Sequence, residues 1–267
     1  MTHTAHEYIL ITGASHGIGR ATALAFARAG YSILAVARNR DHSLEVLQQE
    51  IRQEMQQEIQ QKIQPTTQGE ILLENSPAEF LIQAGDVGDP GFIRNLFDFL
   101  GERGSLKALI NNAGISQIGL LQDMSLDQWN RMFQTNVTSL FLTCRAAIPL
   151  FLQAGQGSIV NVSSVWGSVG ASCEVAYSAT KGAINSFTRA LAKELAPSNI
   201  RVNAAAFGAI DTSMNSFLSP EERKDLEEEI PMGRYGSPWE AADLILDLAL
   251  HHSYLTGQVV TMDGGWI

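Results

Sequence analysis

Thr12-Gly13-Ala14-Ser15-His16-Gly17-Ile18-Gly19 lies between an apolar run, Tyr8-Ile9-Leu10-Ile11, and an alanine-rich stretch that continues to Ala29. The run reads as a buried strand and the stretch from Gly17 to Ala29 as a helix, so the eight residues are a strand-to-helix turn. Its glycines have separate physical uses. Gly13 permits a tight turn, Gly17 lets the backbone approach a bound pyrophosphate, and Gly19 lets the helix pack close to the strand. The helix N-terminus then presents unpaired N–H groups and the positive end of its dipole to phosphate. A glycine-rich turn alone is a weak signal; one that follows a strand and opens a helix is in the context that dinucleotide binding requires. Ser15, His16 and Ile18 lie within the turn and join the three glycines as candidate cofactor contacts.

The second strand, Ser32–Ala37, discriminates between cofactors. An acid at its end would hydrogen-bond a ribose 2′-hydroxyl, whereas an arginine can hold a 2′-phosphate. Here it ends Val36-Ala37-Arg38-Asn39-Arg40, with no acid before Asp41. Arg38 is the candidate for a 2′-phosphate, with Ser15, His16 and Arg40 as helpers, because a guanidinium suits bidentate phosphate contacts. The expected cofactor is NADP(H).

Further short apolar runs follow at Phe80–Ala84, Ala108–Ile110, Ser158–Ser163, Ile200–Ala205 and Val259–Thr261, with stretches between them long enough for crossover helices. Strands alternating with helices imply an α/β fold, a Rossmann-type doubly wound parallel sheet flanked by helices on both faces. All 267 residues are read as a single domain. Three helix starts are marked by capping boxes: Ser125 with Gln128, Ser219-Pro220 with Glu222, and Ser237-Pro238 with Glu240. A glutamine-rich segment, Gln48 to Gln68, stands apart. Leu44, Leu47, Ile51, Met55, Ile59 and Ile63 recur at helical spacing, and Glu58 with Lys62 forms an i,i+4 pair. This predicts a long helical insertion near 44–68, packed locally or held for a partner, before a loop over Pro65–Pro77.

The formal net charge of −10 argues against nucleic acid and anionic membrane as main partners. It leaves an anionic cofactor possible, since one helix N-terminus and a local cation suffice to bind it. The two cysteines, Cys144 and Cys173, have neither metal-ligand spacing nor a disulfide framework, so no metal is expected. The N-terminus has no basic and then apolar leader, and no apolar stretch reaches the ~20 residues of a membrane span. A cytoplasmic location is expected.

The chemistry points to Tyr177-Ser178-Ala179-Thr180-Lys181. In a helix, a phenol and an ammonium four residues apart share a face. A nearby cation stabilises the phenolate and lowers the phenol pKa. Tyr177 could then give a proton to a carbonyl oxygen as hydride arrives at carbon, with Ser164 hydrogen-bonding the same oxygen. Further residues stand in order around this pair. Asn111-Asn112-Ala113-Gly114 follows Leu109-Ile110, Asn136 lies in Thr135-Asn136-Val137, and Ser163-Ser164 ends a strand thirteen residues before Tyr177.

Taken with the glycine-rich turn, this set resembles the short-chain dehydrogenase/reductase family over nearly the whole chain, Tyr8 to Trp266. The resemblance implies that Tyr177 is the acid/base, that Lys181 lowers its pKa and contacts the nicotinamide ribose, and that Ser164 orients the carbonyl. It implies that Asn136 holds a water linking Lys181 to solvent. Asn112, Ala113 and Gly114 would line the cofactor, Asp86 and Val87 would meet the adenine, and Gly208, Ile210 and Thr212 would cover the nicotinamide, within a substrate lid near 208–235. It further implies a homotetramer, with Gln128–Leu142 and Tyr177–Leu195 paired across one interface and the strand near Trp266 across another.

Within the family the chain is most similar to 3-oxoacyl-[acyl-carrier-protein] reductases, through Thr12–Gly19, Ile230-Pro231-Met232-Gly233-Arg234, Thr256-Gly257-Gln258 and Asp263-Gly264-Gly265. The expected activity is reduction of a ketone, a 3-oxoacyl thioester before other small ketones, sugars or polyols. Phe217, Leu218, Trp166 and Met214 are candidates for an apolar pocket, or else for packing of the lid helix. Some positions depart from the family pattern. Phe207-Gly208 replaces a usual Pro-Gly, the stretch Asp41 to Ala84 is longer, and Glu240 follows Trp239 where two acids are common. Relatives carry basic residues where this chain has Gly155-Gln156 and Ser198-Asn199, which argues against docking of an acidic carrier protein. A non-catalytic NADP(H)-binding regulator and a scaffold acting through the glutamine-rich helix are the readings from other classes.

Overall fold

The structure, a computed structural model, describes residues 6–39, 44–53 and 78–267. Among the described residues the strands are β1 (His6–Thr12), β2 (Ser32–Ala37), β3 (Phe80–Ala84), β4 (Gly104–Asn111), β5 (Gly157–Ser164), β6 (Ile200–Phe207) and β7 (Val259–Met262). They form one parallel sheet in the order β3-β2-β1-β4-β5-β6-β7. The helices are α1 (Gly17–Arg28), α2 (44–53), α3 (Pro90–Gly101), α4 (Leu126–Phe133), α5 (Ser139–Ala154), α6 (Trp166–Val169), α7 (Val175–Leu195), α8 (Pro220–Glu229) and α9 (Pro238–Leu250).

The alternation of β1 explains why its central run, Tyr8–Ile11, is apolar without a break. Ile9 and Ile11 point into a core shared with α1, α2 and α9, while Tyr8 and Leu10 point into the opposite core, shared with α3, α5 and α7. A strand covered on both faces needs apolar residues at both parities. The chain lays β1, β2 and β3 in one direction and then returns to place β4 on the other side of β1. That reversal opens a crevice at the carboxyl ends of β1 and β4, the place where ligands bind in open α/β sheets.

Every strand read from the sequence is present, and the differences are at the ends. β4 starts four residues earlier than the apolar run because Lys107 is skipped in the register: Tyr8 pairs with Leu106 and Ile9 with Ala108. The displaced ammonium reaches Glu7 at 3.6 Å. All three capping boxes form with both reciprocal hydrogen bonds. Phe207, in place of the usual proline, is buried at the end of β6 in the α1/α9 core.

Leu44, Leu47 and Ile51 of α2 are completely buried against α1 and β2, and Glu50 pairs with Arg20 of α1. This half of the apolar stripe is therefore used in local packing. Met55, Ile59 and Ile63, the Glu58–Lys62 pair and the loop Pro65–Pro77 lie outside the described residues, as does Arg40.

The helical run Leu126–Ala154, which includes α4 and α5, is long and apolar enough to cross a membrane by length and composition. That corrects the expectation that no stretch reaches this length. The sequence pattern missed it because Asp127, Arg131 and Arg145 interrupt the apolar residues. Leu140, Cys144, Ala147 and Phe151 of this run are buried against the sheet and α3. A polar line crosses the same core. Thr143 Oγ1 donates to Asn111 Oδ1 at 2.7 Å, Asn111 Nδ2 to Asn161 Oδ1 at 3.0 Å, and Asn161 Nδ2 to Thr188 Oγ1 at 2.9 Å. It fastens α5, β4, β5 and α7 at one level, with each buried amide paired.

Candidate active site

The carboxyl ends of β2, β1, β4, β5 and β6 open into a cavity of about 1120 Å³. Four inter-strand steps of ~4.8 Å make this edge about 19 Å long, room for an extended dinucleotide. Of the proposed cofactor residues, Gly13, Ser15, His16, Gly17, Ile18, Arg38, Asp86, Val87, Asn112, Ala113, Gly114, Tyr177, Lys181, Gly208, Ile210 and Thr212 all line it. Gly19 does not. It sits behind the turn, where a Cβ would fall 2.2 Å from Gly13 O and 2.4 Å from Asn112 Nδ2. Its lack of a side chain is what lets α1 start so close to β1, the role read from the sequence. Gly13 adopts φ +67°, and a side chain there would meet the Ala113 backbone at 2.9 Å.

Thr12 and Asn112 close the crevice floor. Thr12 Oγ1 accepts from the backbone N–H groups of Asn112 and Ala113, each at 3.0 Å. Asn112 Nδ2 donates to Thr12 O and Gly13 O, each at 3.0 Å. Both side chains thus hold backbone in place, and within the glycine-rich turn Ala14 N donates to Val36 O at 3.0 Å, which ties the turn to the end of β2. Arg38 is exposed at the cavity rim with Ser15 and His16 beside it, and Ser15 Oγ lies 2.6 Å from His16 Nδ1. A glycine cradle that any Cβ would fill, a helix N-terminus and a rim guanidinium fit a dinucleotide carrying an additional phosphate. At β3, Asp86 accepts from Gly88 N at 2.8 Å, which shapes the turn that carries it to the cavity wall.

At the other end, α7 brings Tyr177 and Lys181 to one face, as their spacing requires. Tyr177 hydrogen-bonds Ser164, the last residue of β5. Lys181 donates to Val162 O at 2.8 Å, and its ammonium lies 5.4 Å from the centre of the Tyr177 ring. Burial pushes the Tyr177 phenol above its ordinary pKa, the Glu174 charge pushes it further, and the Ser164 hydrogen bond opposes both. The sequence reading had Lys181 draw this phenol down. Without a ligand, desolvation of the phenolate wins, and burial brings Lys181 itself down to about 8.

Asn136 stands in a π-helical turn, Gln134–Thr138, between α4 and α5. Such turns occur often at functional sites. It does not line the cavity. Its Oδ1 accepts from Ile115 N at 2.8 Å, and its Nδ2 donates to Ile115 O at 2.9 Å and Thr180 Oγ1 at 3.1 Å. The side-chain amide therefore positions the loop beyond Gly114 against α7. A Cβ on Gly114 would lie 3.5 Å from Asn136 Oδ1 and 3.7 Å from Lys181 Nζ, so the three meet around that glycine.

Phe217, Leu218, Trp166 and Met214 all line the cavity, with Met214 and Phe217 exposed rather than packed under the lid. Trp266, Ser116 and Glu174 are among the residues of this wall that sequence reasoning missed. Trp266 meets Trp166 edge-on at 5.0 Å, Ser116 projects from the loop after β4, and Glu174 stands at the N-terminus of α7. Glu174 lies three residues before Tyr177, and that proximity was the available signal. Among the described residues no cluster of His, Cys, Asp or Glu could hold a metal ion.

Comparison with known proteins agrees with this arrangement. The family model described as enoyl-(acyl carrier protein) reductase matches residues 13–267. An uncharacterized oxidoreductase of Bacillus subtilis (strain 168), YmfI, is 37% identical over 258 residues, covering 96% of this chain and 97% of that protein. The 3-oxoacyl-[acyl-carrier-protein] reductase FabG of Aquifex aeolicus (strain VF5) is 36% identical over 257 residues, covering 96% of this chain and 95% of that protein. Among solved structures, YwfH, an NADPH-dependent reductase involved in bacilysin biosynthesis, superposes with a TM-score of 0.85 at 25% identity, covering 98% of this chain and 99% of that one.

Proposed function

The chain belongs to the short-chain dehydrogenase/reductase family, NAD(P)-dependent oxidoreductases, and from that premise we propose that it reduces a ketone to a secondary alcohol with NADPH, the ketone being a 3-oxoacyl thioester. The observation that carries this is the Tyr177 phenol, hydrogen-bonded to Ser164 and stacked above the Lys181 ammonium, at one end of a cavity that begins at the glycine-rich turn.

The bound dinucleotide would supply the hydride. Gly13, Gly17 and the N-terminus of α1 hold its pyrophosphate, and Arg38 answers the 2′-phosphate that distinguishes NADP from NAD. Asp86 and Val87 meet the adenine, and Asn112, Ala113, Gly114, Gly208, Ile210 and Thr212 wall the nicotinamide half. Ser164 Oγ donates to the ketone oxygen and fixes its position. Tyr177 gives its proton to that oxygen as the carbon is reduced. The raised pKa keeps the phenol protonated at neutral pH, the form that reduction uses. Lys181, held by Val162 O, offers positive charge to the phenolate that results, and Asn136 positions the Ile115 backbone and Thr180 around them. A homotetramer belongs to the same reading, supported by Phe141, a large apolar side chain left exposed on α5.

A second reading, a small ketone, sugar or polyol that no carrier protein delivers, is favoured by the two turns read as docking positions. Gly155 and Asn199 adopt left-handed backbone, with φ +67° and +59°, and neither turn carries a cation. The test follows absorbance of the reduced nicotinamide with an acetoacetyl thioester, comparing NADPH with NADH in wild type and Tyr177→Phe. Wild type is expected to consume NADPH, and the variant to lose roughly 10²-fold or more of that rate. An undiminished Tyr177→Phe overturns the acid role, and turnover with NADH alone overturns the role of Arg38. NADPH binding without turnover moves the assignment to another carbonyl substrate.

A further inference from the structure

The substrate end of the cavity carries an unusual charge balance. Two carboxylates, Glu174 and Glu222, line it, and the one cation among the described lining residues there is Lys181, which is buried and bonded to Val162 O. Glu222 is engaged, because it accepts from Ser219 N at 2.8 Å in the capping box of α8, where the helix dipole offsets its charge.

Glu174 is different. It occupies the N-cap position of α7, yet its side chain makes no cap hydrogen bond. It turns instead to the loop after β4, where Ser116 Oγ donates to Oε1 at 2.6 Å. Nothing among the described residues hydrogen-bonds Oε2 or pairs with the carboxylate as a cation. The orientation is built in. Cys173, just before it, adopts φ +62°, a conformation that costs a non-glycine residue about 1 kcal/mol or more. A hydrogen bond from Gly119 N to Cys173 O, 2.8 Å, holds that turn against the same loop. Two bonds between sequence-distant segments therefore aim an acid at the reaction chamber, close enough to Tyr177 for its charge to act on the phenol.

We propose that Glu174 determines substrate specificity by charge: it excludes ketones that carry a free carboxylate near the carbonyl, and admits those whose acid is masked as an amide or thioester, with Oε2 open to an N–H or O–H of the substrate. The inference rests on the ketone-reductase reading of the same site. An unanswered like charge at close range raises the free energy of the excluded complex, and removing it is how such discrimination is lost.

Acetoacetate and acetoacetamide differ at one atom, O⁻ against NH₂, and make the test. NADPH oxidation with each is measured for wild type, Glu174→Gln and Glu174→Ala. Wild type is expected to have a kcat/KM at least about tenfold higher for the amide. In both variants that ratio is expected to fall by about tenfold, chiefly because acetoacetate improves. The same pair is titrated onto the NADPH complex of Tyr177→Phe, with and without Glu174→Gln, by nicotinamide fluorescence, where discrimination is read without chemistry. Equal use and binding of the two ketones, or a ratio unchanged by the Glu174 substitutions, overturns the role of Glu174. Discrimination in binding that depends on Glu174, with no turnover by wild type, supports this role and overturns the ketone-reductase reading. Failure of both ketones to bind, with Glu174 and with Glu174→Gln alike, overturns both.

Discussion

Replacing Thr12 by valine removes one oxygen and keeps the shape, at the point where the two halves of the sheet meet. Thr12 is 2% exposed, and its Oγ1 accepts from Asn112 N and Ala113 N, both at 3.0 Å. Valine leaves two N–H donors without their partner. An orphaned buried donor costs about 1–3 kcal/mol. Asn112 and Ala113 are half-buried, so water relieves part of this, and about 2–4 kcal/mol remains for the pair. In a chain of this size each kcal/mol moves the unfolding midpoint by about 2–4 °C, which places Thr12→Val roughly 4–16 °C below wild type. The strip of backbone released also walls the cavity, so NADPH should raise the midpoint of the variant by less than it raises that of wild type. Thr12→Ser retains the acceptor and should recover most of the loss. Thermal unfolding followed by circular dichroism, at fixed protein concentration with and without NADPH, measures all three. A Thr12→Val midpoint within 1 °C of wild type, or a serine variant as damaged as the valine one, would refute the reasoning.

Two other expectations concern groups whose burial sets their cost. Burial brings Lys181 to about 8, below the 10.5 of an exposed lysine. Between those values the unfolded chain binds more protons than the folded one, so stability rises with pH there, and the full cost of the buried ammonium is felt below the window. From pH 8 to pH 10 wild type should gain on the order of 2 kcal/mol relative to Lys181→Met, read from urea midpoints; parallel curves for the two proteins would contradict it. Leu47 of α2 is completely buried, and Leu47→Ala should lose about 2–5 kcal/mol by the same measurement. A loss under 1 kcal/mol would mean that the inner half of the glutamine-rich stripe is not part of the core.

Much of the site was legible because its signals are local. The turn Thr12–Gly19 can be read from neighbours because a glycine without room for a Cβ is required wherever strand and helix approach so closely. Tyr177 and Lys181 needed only the period of a helix to come together, and the three capping boxes only a serine and its partner three residues on. Glu174 was missed although it adjoins Tyr177. A carboxylate at a helix start reads as a cap, and only its contact with Ser116 removes it from that duty. The bulge at Lys107 was likewise hidden, since a skipped residue in a strand leaves no mark on composition.

The sequence by itself determined the strands, the parallel sheet, the phosphate-binding turn and the pairing of phenol with ammonium, since each follows from periodicity or backbone sterics within a few residues. Only the tertiary structure decided that Thr12 anchors the Asn112 strip, that Trp266 meets Trp166 in the cavity, and that the Asn136 amide bonds Ile115 and Thr180. It also decided the sense of the Tyr177 shift. A cation four residues away can be read from spacing, but the loss of water that raises the phenol depends on every segment packed around it.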